Sequence, residues 1–243
     1  MATLLIDADI MVYKITSSVE EPVNWDSDLW TLHCDFAQVK KIICDTVDAL
    51  VDKTKVDEAQ LCFSDKKNFR KDINIAYKLS RKKTRKPMCF VPALEYCKEE
   101  FNCIQYPMLE ADDVMGLLAS KDDKYIIYSE DKDMYTIPGL HWDISKEVVW
   151  EQSKEQADYH FYTQTLTGDA TDGYPGCPGI GPKKAEKILE SLSSNEMWDA
   201  VVETYKTRQL GEHYALLQAR MARILRDGEY VDNQPILWSP YAN

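Results

Sequence analysis

Nine carboxylates stand out by position. In this chain of 243 residues, Asp7 closes the apolar run Leu4–Ile6, and Asp65 follows Leu61–Phe63. Glu110, Asp112 and Asp113 come after Cys103–Gln105, and Asp131 and Asp133 come after Tyr125–Tyr128. Asp169 and Asp172 sit where a helix over about 153–166 gives way to a glycine-rich loop. If the four runs are parallel strands of one sheet, their carboxyl ends share an edge, and open α/β sheets bind ligands at such an edge. Carboxylates crowded there cannot all stay ionised without cations. A donor set made of oxygen alone selects hard ions such as Mg²⁺ or Mn²⁺. So many acids exceed one octahedral shell, so two ions about 4 Å apart are expected, as in phosphodiester hydrolysis. Each acid also has a simpler reading. Asp7 could cap a strand end, Glu110 and Asp113 could favour a helix amino terminus, and Asp131-x-Asp133 could be a turn.

Net charge at first argues against a polyanionic partner, because 41 acidic residues outnumber 29 basic ones and leave −12. Position reverses the argument. Between Lys66 and Lys86 stand ten basic residues (Lys66, Lys67, Arg70, Lys71, Lys78, Arg81, Lys82, Lys83, Arg85 and Lys86) and the single acid Asp72. A field this concentrated attracts phosphates. Phe69 and Tyr77 are interleaved with the cations, the composition expected where bases stack while phosphates are neutralised. The plain alternative is a basic, solvated loop.

The elements that must position these groups are legible in outline. Thr3–Ile6, Ala59–Phe63, Cys103–Gln105 and Tyr125–Tyr128 read as strands, with weaker candidates at His141–Ile144 and Val148–Trp150. Apolar residues at three- and four-residue spacing predict a helix over 36–51, and others begin near Pro92 and Glu110. Further helices are expected over about 153–166, 183–192, 195–206 and 212–226. Alternating strands and helices predict a parallel α/β core over 1–150, and the helical remainder, 151–243, packs on it as one catalytic unit. Gly168, Gly173, Gly176, Gly179 and Gly181 crowd one sharply turning loop. No apolar stretch is long enough to span a membrane, and the amino terminus lacks a signal-peptide pattern. Seven cysteines without a Cys-x-x-Cys pair suit a reducing, cytoplasmic setting and argue against disulfides and zinc. The four histidines fit no catalytic motif and read as structural.

Three segments together resemble the 5′ nuclease (flap endonuclease) superfamily, and most of all the small 5′→3′ exonucleases of tailed phages. They are Leu109-Glu-Ala-Asp-Asp-Val-Met-Gly116, Ser129-Glu-Asp-Lys-Asp133 and the loop and helix start from Gly168 to Lys184. Asp7, Asp65 and Tyr77-Lys-Leu-Ser-Arg81 sit where that family has its first acids and a Tyr-Lys-x-Asn-Arg element, and the likeness runs from Leu4 to about Trp238, including the late segment Gln218–Leu225. The resemblance implies a PIN-like nuclease core with a basic arch over 66–90 and a helix–three-turn–helix over about 168–190. It implies a first metal held by Asp65, Glu110 and Asp112 with Asp7 and Asp113 close by, and a second held by Asp131, Asp133, Asp169 and Asp172. Lys78 and Arg81 would offset charge on the scissile phosphate, and Tyr77 would stack on the terminal base. Arg70, Lys82, Lys83, Lys183, Lys184 and the amides of Gly179 and Gly181 would hold DNA, with a K⁺ ion possible at the hairpin. Two positions depart from the pattern: Ser80 replaces asparagine, and Ala8 follows the first acid where glycine is common.

What the resemblance implies overall is a Mg²⁺-dependent 5′→3′ exonuclease, with Mn²⁺ able to substitute, that acts on double-stranded DNA with a 5′ end or flap. A flap endonuclease or primer removal from RNA–DNA hybrid is the alternative on the same scaffold. The expected setting is a monomer in the cytoplasm of a phage-infected host, with phage replication proteins as partners. Two rivals are weighed against it. Asp7-Ala8-Asp9 also fits the Asp-x-Asp signature of haloacid-dehalogenase-type phosphatases, but that reading leaves Glu110–Asp113 and the basic segment unexplained. A DNA-binding module without catalysis predicts missing acids, and none is missing.

Overall fold

Leu4 and Ile6 pack into one apolar cluster and Leu5 into another, so the first strand alternates between two covered faces. That alternation sets the architecture. In the computed structural model, which describes residues 1–80 and 84–241, a central sheet has strand order β5-β4-β1-β6-β7-β8. Its strands are β1 (Thr3–Asp7), β4 (Glu58–Phe63), β5 (Cys103–Gln105), β6 (Tyr125–Tyr128), β7 (Gly139–Asp143) and β8 (Val148–Gln152). The pairings are parallel except for β7–β8, which is antiparallel. One face is covered by α1 (Ala8–Val19), α2 (Phe36–Thr54) and α4 (Phe90–Glu100), which bury Val12, Ile43 and Ala93 with Leu4 and Ile6. The other face holds α5 (Ala111–Ala119), together with Ile224 and Leu225 from late in the chain.

The four helices that follow the sheet form a second cluster. They are α6 (Lys154–Thr167), α7 (Pro182–Leu189), α8 (Ser194–Lys206) and α9 (Glu212–Ala222), gathered around Phe161, Tyr205 and Ala219. This agrees with the expected α/β core followed by helices.

Four details differ from the expectation. Residues 8–33 carry no predicted element, yet they form α1 and a hairpin of β2 (Glu21–Asp26) and β3 (Leu29–His33). The hairpin is exposed almost throughout, so no buried face imposes a period-two pattern on its sequence. The last helix is expected to reach 226 but stops at Ala222, because residues 223–226 turn extended to bury Ile224 and Leu225 under α5. A short helix, α3 (Phe69–Ile73), lies inside the basic segment. Finally, the carboxy-terminal region is not wholly helical, since β9 (Tyr230–Val231) pairs with β10 (Gln234–Pro235).

Candidate active site

The acid edge is assembled by ordinary local preferences. Asp7 ends β1 and caps α1, its Oδ1 accepting from the Ile10 N–H at 2.9 Å. Glu110 and Asp113 form a reciprocal cap at the start of α5, which leaves Asp112 on the first turn between them. Asp131 caps the 3₁₀ turn Lys132–Thr136 by accepting from the Asp133 N–H at 2.9 Å. Asp169 opens the loop after α6 and accepts from the Thr171 and Asp172 N–H groups. The simpler roles weighed for Asp7, Glu110, Asp113 and Asp131 are therefore real, and Asp112 nonetheless stands near enough to Asp7, Glu110 and Asp131 for their charges to act on it.

The residue at the centre of that edge is a cation. Lys78 Nζ lies 2.7 Å from Glu110 Oε1 and 3.6 Å from Asp172 Oδ2. Its backbone is left-handed, with φ 51°, and its N–H donates to the Asp172 carbonyl at 2.9 Å. Gly173 makes this contact feasible. Its φ is +84°, and a Cβ there would stand only 2.6 Å from the Ala76 carbonyl oxygen, so a larger residue would push the two loops apart. Burial lowers the Lys78 pKa, but Glu110, Asp172 and Asp112 outweigh it and raise it. Burial likewise raises Glu110, but Lys78 and Arg70 prevail and hold its carboxyl at about 2.

The other acids are crowded. Burial pushes Asp7 up to about 7, with neighbouring Asp9 adding to the effect. Asp133 is pushed to about 6 by burial and then by Asp131, Asp169 and Asp172. Asp112 is raised well above its ordinary value by burial, and by Asp7, Glu110 and Asp131. Its Oδ1 is buried and accepts no hydrogen bond. Among the described residues, no three acidic, histidine or cysteine side chains stand close enough, as placed, to share one ion. An orphaned carboxylate oxygen, acids that resist ionising and a donor set of oxygens alone nevertheless fit a hard divalent cation.

Several expected site residues are placed otherwise. Asp113 is completely buried, and its oxygens accept from Arg70 Nη1 and Nη2, each at 2.7 Å, and from the Leu225 N–H. It positions the edge rather than facing it. Arg70, expected to hold DNA, is 3% exposed and also donates to the Met221 and Arg223 carbonyls, so no phosphate reaches it. Tyr77, expected to stack on a base, is 4% exposed, packs with Phe161 and Tyr174, and donates its hydroxyl to Glu110 at 2.6 Å. Phe69 is equally buried. The aromatic residues among the cations are core, not a stacking platform. Asp65 Oδ1 accepts from the Lys66 N–H and its Oδ2 from the Met108 N–H, so it pins two loops together. Asp9, left without a role by the sequence, accepts from the Ser64 N–H at 2.9 Å and fastens the end of β4 to α1. Arg81, Lys82 and Lys83 lie outside the described residues.

Beyond α6 the chain turns through the glycine-rich loop into α7, which begins at Pro182. Gly179, Gly181, Lys183 and Lys184 are all exposed there, and Lys184 Nζ donates to the Gly179 carbonyl at 2.8 Å.

A mostly parallel sheet with acids after its strands, beside a helical cluster, matches the fold of a PIN-like 5′ nuclease. Residues 2–163 match the family described as 5′-3′ exonuclease, N-terminal resolvase-like domain. The exodeoxyribonuclease of Enterobacteria phage T3 is 32% identical over 98% of this chain and 92% of its own length. The exonuclease of Escherichia phage T7 is 31% identical over 98% of this chain and 93% of its own. The chain belongs to the 5′→3′ exonuclease family, and it is a 5′→3′ exonuclease. The fold also matches the bacteriophage T5 flap endonuclease solved with DNA and metal ions, at TM-score 0.66 and 15% identity over 91% of this chain and 89% of that one. Among the described residues, no helix is long and apolar enough to cross a membrane.

Proposed function

We propose that this exonuclease degrades DNA from the 5′ ends of duplex by a two-metal-ion reaction, releasing 5′-phosphorylated nucleotides or short oligonucleotides. The observation that carries this reading is Asp112, whose buried, unpartnered Oδ1 is crowded by Asp7, Glu110 and Asp131. Divalent cations bound at this edge, Mg²⁺ with Mn²⁺ able to substitute, would lower the pKa of an attacking water and offset charge on the leaving 3′ oxygen. Asp65, Glu110 and Asp112 would hold one ion, with Asp7 beside them, and Asp131, Asp133, Asp169 and Asp172 would hold the other.

The chain's own residues do the positioning. Arg70 and Asp113 fix the start of α5 and so the direction of Glu110 and Asp112. Tyr77 steadies Glu110 from the other side. Lys78 keeps its charge at any working pH and brings it to the edge, where it offsets charge building on the scissile phosphate. Arg81, Lys82 and Lys83 are assigned to the same strand of substrate. The exposed amides of Gly179 and Gly181, with Lys183 and Lys184, form the duplex-gripping part of a helix–three-turn–helix. A K⁺ ion bound there through main-chain oxygens would compete with Lys184 for the Gly179 carbonyl.

We take residues 1–150 and 151–243 as one catalytic unit, a monomer working with phage replication proteins in the host cytoplasm. Flap cleavage and attack on RNA–DNA hybrid are separate outcomes of one rate comparison across blunt duplex, 5′ flap and hybrid. The principal test is turnover of 5′-labelled duplex with Mg²⁺. Asp131→Ala combined with Asp133→Ala is expected to abolish it, and a rate within threefold of wild type would overturn the two-ion assignment.

A further inference from the structure

A cavity of about 650 Å³ opens beside the acid edge, and none of the catalytic roles above uses it. Its volume lies within the roughly 300–1,000 Å³ typical of small-molecule sites. Ile10, Met11 and Ile15 of α1 form one wall, facing Leu50 of α2 and Tyr128 at the end of β6. Asp7 and Asp131 also line it, so the cavity and the acid edge share two side chains. Lys132 and Lys14 line it as well, Lys14 paired with Glu130 at 2.8 Å. The topology marks this place independently. The chain leaves β1 for β4 on one side and later returns to β6 on the other, so the cavity lies at the switch point of the parallel sheet. Crevices at switch points are where such sheets take nucleotides and similar ligands.

We propose that this cavity receives the base of the 5′-terminal nucleotide of the strand being degraded and holds it until the mononucleotide leaves. The proposal rests on the exonuclease reading above. In that reaction a water oxygen bonds to the phosphorus of the scissile diester, and the bond from phosphorus to the terminal nucleotide's 3′ oxygen breaks. The 3′ oxygen leaves with the electron pair and takes up a proton, while the phosphate stays on the shortened strand as its new 5′ end. The terminal sugar is therefore tethered at the acid edge until cleavage, and its base needs a place within one nucleotide's reach.

The walls suit a base by its faces. Aliphatic side chains and the Tyr128 ring offer apolar contact, and Thr46 is the one uncharged hydroxyl on the α2 side. Apolar walls meet a base by its faces, which all four bases present alike, as stepwise degradation requires. The Lys14–Glu130 pair is more than half exposed on both sides, so it is weakly held and free to exchange onto the nucleotide's own phosphate.

The test compares two 3′-labelled duplexes that differ only in the terminal 5′ nucleotide, base-bearing in one and abasic in the other. Wild type is expected to remove the base-bearing nucleotide at least tenfold faster by kcat/KM. Thr46→Trp and Leu50→Trp fill the cavity from α2 without altering an acid, and each should bring that ratio to within twofold. A ratio near one in wild type, or an undiminished ratio in both variants when melting shows them folded, overturns the proposal. Calorimetry on wild type needs neither turnover nor a variant. Deoxyadenosine 5′-monophosphate should bind at least tenfold more tightly than deoxyribose 5-phosphate, and equal binding overturns the proposal. Failure of the exonuclease reading shows differently: neither duplex is degraded, and the calorimetric ratio then decides the cavity alone.

Discussion

Asp7 and Asp133 record the cost of gathering acids in one place. Both are held above their ordinary 3.8, at about 7 and about 6, because burial and neighbouring carboxylates disfavour the charged form. The folded protein therefore binds protons that the unfolded chain has released. Their contribution to stability is full below pH 3.8 and is lost as pH rises through 6 and 7. A divalent cation that binds the ionised acids reverses the loss. Thermal melts with EDTA and with Mg²⁺ are expected to show a larger Mg²⁺-dependent gain in Tm at pH 7.5 than at pH 5. An equal gain at both pH values would mean that these acids do not meet the ion. At this scale the sequence picked out acids that follow strand ends, and the structure brings Asp7, Glu110, Asp112 and Asp131 within reach of one another's charge. The sequence could not show that Asp113 turns inward to Arg70 while Asp112, one residue earlier, is left with an oxygen unpartnered. Successive residues on a helix point about 100° apart, and only packing decides which direction is inside.

Among the elements, the glycine-rich loop separates two uses of the same residue. Gly173 permits a close approach, since a Cβ there would lie 2.6 Å from the Ala76 carbonyl at φ +84°. A Cβ on Gly181 would meet nothing within 4 Å, and that residue has an ordinary φ of −106°. Gly173→Ala is expected to cost about 1–3 kcal/mol in urea denaturation and to lower turnover by displacing Lys78 from Asp172. Gly181→Ala should leave stability within about 0.5 kcal/mol and weaken duplex affinity measured by anisotropy, because the added methyl stands where phosphate approaches an amide. Strands and most helices were legible here, because buried runs such as Tyr125–Tyr128 and amphipathic runs such as Phe36–Thr54 carry their period in the sequence. The exposed β2–β3 hairpin carries none, and the end of α9 depends on what Leu225 finds to bury against.

Across the whole molecule, Arg70 and Arg226 fasten the late segment to the core. Arg70 joins α3, α5 and the end of α9, while Arg226 donates to Asp158 of α6 at 2.6 Å and to the Thr136 carbonyl. Arg70→Met leaves Asp113 buried without its partner and should destabilise the protein by about 3–5 kcal/mol, read from chemical denaturation. A loss no larger than that of a surface arginine would show that Asp113 finds another donor. Charge is distributed on the same scale. Lys183 and Lys184 are exposed on α7, well apart in sequence from most of the acids. Replacing both with alanine should reduce the slope of log affinity against log salt by about two, since each phosphate contact releases about one counterion.

The net charge of −12 therefore says little about partners, because its acids and bases occupy different places. The strands of the sheet, the acids that follow them in sequence and the family the chain belongs to were determined by the sequence alone. Those properties rest on local periodicity and on spacing along the chain. Whether a cation or an aromatic ring in the basic segment faces solvent was decided only by the tertiary structure. Arg70, Phe69 and Tyr77 have the composition of a nucleic-acid surface, yet all three are buried, Arg70 against Asp113 and Tyr77 against Glu110. A buried charge needs a partner at hydrogen-bond distance, and these partners lie 33 to 43 residues further along the chain, where only folding brings them near.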